Sequence, residues 1–473
     1  MNRYLALILA LVLLTGCAGS RPTPHLSELY DRSARFHDAR RNPIILIPGI
    51  LGSNLVDSAS GRVVWGSFTG DWANPTRPDG ARLLALPMRE GAPLPNLHDD
   101  VAPNGVLDRV KLKVLGLPIN VKAYYNILDA LGIGGYKDES GDLNSIDYGP
   151  DHFTCFQFDY DWRLDNVENA GRLKAFIAEK RAYVLREYVR RYGPGDYDVK
   201  FDLVAHSMGG LLTRYFLRYG DADLPADGST PKVTWAGAAD VDRVILVAPP
   251  NAGSLNALDQ LIHGRKFGLT VPRFPAAVIG TMPAVYQNLP RGRHGALVDA
   301  ADPNRKLDPL DPDLWEAMGW GLADPDQDAT LAMLLPDAPD AAARRRIARD
   351  HLRKSLARAR QFMAALDQPA APPEDVTIYL MTGDAIETPA IATVDRHNGR
   401  FSIIRKEPGD GAVLRSSALM DERIGSEWQP YLLSPIAWSQ VYFLFTEHLE
   451  ITKDPAFTDN ILYLLLEQPP KSR

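Results

Sequence analysis

One stretch constrains the fold more than any other: Val199–Tyr219, read as VKFDLVAHSMGGLLTRYFLRY. A strand-like run from Val199 to Ala205 stops at His206-Ser207-Met208-Gly209-Gly210, and an apolar pattern at helical spacing (Leu211, Leu212, Tyr215, Phe216, Tyr219) begins at once. Strand and helix can meet across so short a turn only if the neighbours are small, as Ala205, Gly209 and Gly210 are. The turn then forces Ser207 into a strained conformation and lifts its hydroxyl to the carboxyl end of a sheet. The helix beneath offers free N–H groups to any anion that develops there. A serine acting only as an N-cap would not need small residues on both sides. Ala205 stands where the usual G-x-S-x-G turn has its first glycine.

Three further runs, Pro43–Ile47, Phe153–Asp159 and Val241–Val247, fit strands of the same sheet, the first and last of them apolar enough to be buried on both faces. Glu168–Tyr192 carries helical spacing and ends at Gly193-Pro194-Gly195. Strand, helix, strand at this spacing predicts an α/β fold with a mostly parallel sheet and crossover helices. Val376–Met381 and Phe401–Ile404 read as its continuation, Ile424–Phe445 as a last apolar run, and about Pro455 to Leu466 as a closing helix. Two segments break the alternation. Val56–Val121 is rich in Gly, Pro, Trp and Leu with little periodicity, which predicts a structureless lid loop. Asn256–Asp367, with a helix over Asp340–Leu366, reads as a cap. The expected organisation is one domain over 43–473 with a lid at about 56–121 and a cap at about 256–367. A net charge of −7, with no basic tract interleaved with aromatics, argues against a nucleic-acid partner.

The first residues read as a targeting segment. Arg3 precedes an apolar run, Tyr4–Leu14, that is too short to span a bilayer as a stable helix and suits the h-region of a secretory signal. Leu14-Thr15-Gly16-Cys17 resembles the lipobox of bacterial lipoproteins. That resemblance implies a signal peptide over 1–16, lipidation of Cys17 and a membrane surface as partner. Ala18 rather than Asp after the cysteine implies a lipid-anchored protein of the bacterial cell envelope, at the outer membrane. Residues 17–42, polar and carrying two prolines beyond Ser20, read as a tether. The only other cysteine, Cys155, lies in a strand-like run and reads as a small buried hydrophobe.

A serine hydroxyl needs a base, and the base needs an orienting acid. In α/β-hydrolases the chain order is Ser, acid, His. Of ten histidines, those before Ser207 drop out, including His206, which sits beside the serine and points elsewhere. His263, His294 and His351 fall in the cap, leaving His397 and His448. His448 fits better, in a loop between the last apolar run and the final helix. Asp384 and Asp410 each follow a strand candidate. Asp410 is flanked by Gly409 and Gly411, and only His448 lies downstream of it, so Asp410 and His448 form the natural pair.

PIILIPGILGSNL, FDYDWR, AHSMGG, APPNAGS and GDGAVLRSS, followed by His448, occur in the order of the lecithin:cholesterol acyltransferase family, which the chain resembles from about Pro43 to Leu466. The resemblance implies an α/β-hydrolase fold and a lipid ester substrate such as a phospholipid. It implies Ser207 as nucleophile, Asp410 and His448 as its partners, and the backbone N–H groups of Leu51 and Met208 as an oxyanion hole. Asp159 and Trp162–Arg163 correspond to the family's lid-supporting segment. No metal or organic cofactor is implied. A binder of lipid or protein on an inactive hydrolase scaffold is the alternative, and the presence of Ser, Asp and His together disfavours it.

Overall fold

The computed structural model describes residues 24–107, 109–114, 117–122, 124–141, 152–267 and 271–469. The expected signal segment and Cys17 lie outside the described residues. The chain enters the domain at β1 (Ile44–Ile47), then builds β2 (Ser53–Asp57), β3 (Val63–Trp65) and β4 (Val101–Val106), followed by a hairpin of β5 (Arg109–Val114) and β6 (Leu117–Lys122). Four more strands come next: β7 (Cys155–Gln157), β8 (Phe201–His206), β9 (Val241–Val247) and β10 (Leu297–Asp299). The last are β11 (Thr377–Gly383), β12 (Ile386–Asp395), β13 (Arg400–Gly409) and β14 (Gln440–Leu444).

The central sheet has the order β14-β11-β9-β8-β1-β7, and every pairing in it is parallel. Successive side chains of a strand point to opposite faces, and here both faces are apolar. Ile45, Ile47, Leu203, Ala205, Val244 and Leu246 join a core with the helices Asn166–Tyr192 and Met208–Tyr219. Ile44, Leu46, Val204, Ile245 and Val247 join a second core with Tyr125–Ile133 and Pro455–Leu462. This is the double burial that gives parallel strands continuous apolar runs. At the sheet's amino-terminal edge buried Arg243 meets Asp202 at 3.4 Å and donates to the carbonyls of Leu464 and Gln468, pinning the C-terminal turn.

Several expectations need correction. Residues 56–107 are folded, not structureless: β3-β2-β4 form an antiparallel sheet, a helix spans Pro78–Leu84, and Trp65, Phe68, Leu84, Leu86 and Leu97 are buried. The strands are only three to six residues long, too short for a periodicity to emerge. Phe401–Ile404 belongs to β13, which pairs with β12 in a separate ribbon against β10 rather than in the central sheet. The expected tether is docked from Leu26 onward: Tyr30 is buried and its hydroxyl reaches the Asp459 carboxylate at 2.7 Å. Between β9 and β11 the chain forms a helical layer that includes Leu255–His263 and the long Ala341–Asp367. Among the described residues no helix is long and apolar enough to cross a membrane.

Candidate active site

Ser207 follows β8 directly, with φ 53° and ψ −128°. Leu51 (φ 65°) and Ala248 (φ 50°) are likewise non-glycine residues in the left-handed region, each just beyond a strand of the sheet. Such strain persists only where the surroundings over-determine it, and it clusters at functional sites. Here the surroundings are tight. A Cβ on Gly209 would come within 2.4 Å of the Pro48 carbonyl oxygen, and one on Gly49 within 2.7 Å of the Ser207 Cβ. The Gly49–Leu51 turn therefore lies against the elbow, and this contact requires the two glycines. Ala205 is wholly buried and tolerated at the motif's first position.

His448 connects the trio. Its Nε2 lies 3.0 Å from Ser207 Oγ and its Nδ1 2.7 Å from Asp410 Oδ2. Its backbone N–H donates to the Asp410 carbonyl at 2.9 Å. Asp410 is buried, and its other oxygen accepts N–H bonds from Ala412 at 3.0 Å and Val413 at 2.7 Å. Burial alone would raise its pKa, but the His448 imidazole and the two amides outweigh it and hold the carboxyl below its usual range. With Nδ1–H given to Asp410, Nε2 is free to accept the serine proton. The loop bearing Asp410 reaches this point from the end of β13, beside Gly383 at the end of β11, where a Cβ would lie 2.7 Å from the Asp410 Cβ. Asp384 instead faces Arg415 at 3.6 Å, and His397 lies in the β12–β13 turn.

The Leu51 and Met208 amides sit on the two segments that meet at Ser207, and among the described residues no acceptor takes either N–H. The Leu51 carbonyl is held by Trp65 Nε1 at 2.8 Å. A cavity of about 770 Å³ opens over Ser207, with Trp65, Phe68, Leu107, Phe267 and Val285 in its apolar wall. Trp65 packs edge-on against Phe68, Phe267 and Trp162 at 5.1, 5.1 and 5.6 Å. Beneath the wall, buried Arg163 grips Asp161 and Asp99 and donates to the Leu83 carbonyl at 3.0 Å, joining the FDYDWR segment to the loop. Asp159 accepts the Gly105 N–H at 2.6 Å.

His206, set aside from its position, has a part in the site. Gly49 N–H donates to the Tyr124 hydroxyl at 2.7 Å, that hydroxyl bonds His206 Nδ1 at 2.9 Å, and His206 Nε2 meets the His448 carbonyl at 3.3 Å. Burial, reinforced by the nearby His448 ring, lowers the His206 pKa to about 3, so the ring is neutral and can accept at Nδ1 while donating at Nε2. Tyr124 stands 82 residues before His206, so no local pattern could have paired them. Cys155 is buried in β7, and burial pushes its thiol pKa well up.

A strained serine at the sheet's carboxyl edge, met there by an imidazole–carboxylate pair from later in the chain, is how α/β-hydrolases are built. The chain has the α/β-hydrolase fold. More narrowly, residues 128–306 match the family model described as Lecithin:cholesterol acyltransferase, a span containing the elbow but not Leu51, Asp410 or His448. The chain is similar to one solved in the crystal structure of the Tle4–Tli4 complex, with 15% identity and a TM-score of 0.55 over 90% of this chain and 99% of that one, a likeness of fold. Lipase 1 from Pelosinus fermentans aligns over 91% of this chain and 99% of its own, with 14% identity and a TM-score of 0.33. Curated proteins give no match.

Proposed function

We propose that the protein is a serine-dependent lipid ester hydrolase or O-acyltransferase working through an acyl-serine. The observation that carries this is His448 within hydrogen-bond reach of both Ser207 and Asp410 under an apolar cavity. Ser207 Oγ attacks the ester carbonyl while His448 Nε2 takes its proton, and Asp410 stabilises the imidazolium. The carbonyl oxygen, now negative, accepts the N–H groups of Leu51 and Met208; one such donor is worth about 3 kcal/mol of barrier. Collapse expels the alcohol, protonated by His448, and leaves the acyl group on Ser207. Water or a second alcohol, deprotonated by His448, then takes the acyl group. The similarity of residues 128–306 to an acyltransferase family supports both outcomes.

A phospholipid in a membrane is the substrate we favour, and lipidated Cys17 would hold the domain at the envelope surface, at the outer membrane. Labelled palmitate that persists on Cys17→Ser would overturn the anchor. For the activity, the full chain is given phospholipid and released fatty acid is followed. Ser207→Ala should lower turnover by roughly three orders of magnitude or more. Undiminished release by that variant would refute the proposal, and release by neither protein would favour a binding scaffold.

A further inference from the structure

The turn that runs from β1 into β2 is of type II. The Gly49 carbonyl accepts the Gly52 N–H at 3.0 Å, and Leu51, unlike Ile50, has a positive φ of 65°. Glycine is usual at that third position, because a side chain there strains the backbone. Most peptide groups around the strained residue are clamped. Tyr160 Oη donates to the Pro48 carbonyl at 2.8 Å, the Gly49 N–H reaches the Tyr124 hydroxyl, and Trp162 Nε1 donates to the Ser53 carbonyl at 3.2 Å. Within 48–53, only the Ile50–Leu51 peptide has neither its carbonyl nor its N–H bonded to another described residue.

The clamp on the carboxyl side of Leu51 is Trp65. β2 leaves the turn, and β3 returns beside it with Trp65 opposite Leu55. The indole thereby comes back against the turn, its Nε1 donating to the Leu51 carbonyl at 2.8 Å. The ring is buried and packed edge-on against Phe68, Phe267 and Trp162, so the donor is fixed. Backbone strain persists only where the surroundings over-determine it. Without the indole bond the Leu51 carbonyl is free to turn and the residue can relax to a negative φ. A type I turn spans the same ends with its central peptide turned over. It would present the Ile50 carbonyl, an acceptor, where the Leu51 N–H now stands.

We propose that Trp65 is a positioning residue for the oxyanion hole: its indole N–H keeps Leu51 left-handed and so keeps the Leu51 N–H directed at Ser207. This rests on the acyl-serine reading above and adds a residue to the triad and the two donors. The same ring lines the cavity over Ser207, so two effects separate. Loss of the ring removes contact with the substrate and raises KM, whereas loss of the N–H alone removes binding of the transition state and lowers kcat.

The test uses the full chain, p-nitrophenyl butyrate, and an alkyl trifluoromethyl ketone with the corresponding alcohol as control. Ser207 Oγ adds to the ketone carbon, the C=O π pair becomes the oxyanion, and His448 takes the serine proton; the alcohol only occupies the cavity. Trp65→Phe should lower kcat about tenfold or more and weaken the ketone by a similar factor relative to the alcohol. Adding Leu51→Gly should recover most of both losses, because glycine adopts a positive φ without strain, and adding Leu51→Ala should recover neither. An unmoved ketone-to-alcohol ratio overturns the assignment, as does equal recovery by glycine and alanine. If Trp65→Phe does not fold, exchanging the indole for benzothiophene removes the N–H at nearly constant volume. It should lower kcat and the ketone-to-alcohol ratio alike with KM held within about twofold, and no loss in either overturns the proposal. Wild type that neither cleaves the ester nor prefers ketone to alcohol would refute the acyl-serine reading itself, a different failure.

Discussion

Tyr124→Phe removes one oxygen and tests how the Gly49–Leu51 turn and the His448 loop are held together. That oxygen accepts the Gly49 N–H at 2.7 Å and bonds His206 Nδ1 at 2.9 Å, and all three residues are buried. The substitution leaves two buried polar groups without a partner at about 1–3 kcal/mol each, which sums to about 2–6 kcal/mol of lost stability. A tyrosine hydroxyl without such bonds would change stability by about 0.5 kcal/mol or less. Equilibrium unfolding in urea reads the difference, with an unchanged m-value as the check that only stability moved. Hydrolysis of p-nitrophenyl butyrate should fall about tenfold, because the Gly49–Leu51 turn and the His448 carbonyl lose their shared anchor. In the double variant with His206→Phe the acceptor is gone as well, so the two losses should fall short of additivity by about 1 kcal/mol. Additive losses, with Tyr124→Phe costing less than about 0.5 kcal/mol, would refute the anchoring role of this chain of bonds.

Three other outcomes follow from the same structure. Asp410→Asn should lower esterase kcat by about four orders of magnitude while Asp384→Asn, which lies against Arg415 rather than His448, changes it little; the reverse ranking would move the acid to Asp384. Arg163→Ala leaves Asp161 and Asp99 without their cation and should cost about 3–5 kcal/mol, with limited proteolysis cutting first within 83–99; an unchanged digestion pattern would separate Arg163 from the loop. His206 is held at about 3 against its ordinary 6.5, so the unfolded chain takes up its proton first as pH falls. Its contribution is complete above pH 6.5 and drains below it by about 1.4 kcal/mol per pH unit, so wild type should lose about 2 kcal/mol relative to His206→Gln between pH 6.5 and 5. Asp202, raised to about 6 by burial, titrates in the opposite sense in both proteins and cancels in that difference. Parallel curves would contradict the buried neutral ring.

The elbow was legible because its physical demands are local: a buried strand, small residues around Ser207, and a helical pattern starting without a linker. β1, β9 and the two 27-residue helices were legible for the same reason, each carrying a periodicity or apolar run longer than a turn. The segment 56–107 was not, since its strands are interrupted by residues such as Pro103 and Gly105 and its order comes from tertiary burial of Trp65 and Phe68. The ribbon of β12 and β13 looked like continued alternation because Phe401–Ile404 is apolar, although Ile403 and Ile404 are exposed. That ribbon carries the chain to Asp410, so the pairing of Asp410 with His448 was readable in the sequence while the route to it was not. Exposed apolar side chains also lie where no pattern placed them: Trp428, Tyr431, Phe445 and Leu449 are 78, 85, 75 and 60% exposed, against 3% for Trp65.

If acyl groups pass through Ser207, quenching the full chain in acid within one turnover of a long-chain phospholipid and examining its peptides by mass spectrometry should catch them there. A fatty-acyl mass is expected on the peptide containing Ser207 and none in Ser207→Ala. The adduct should accumulate in a His448→Ala variant pre-acylated with an activated ester, because deacylation needs the base. Release of fatty acid at full rate with no adduct on Ser207, or with the acyl group on another residue, would contradict the acyl-serine.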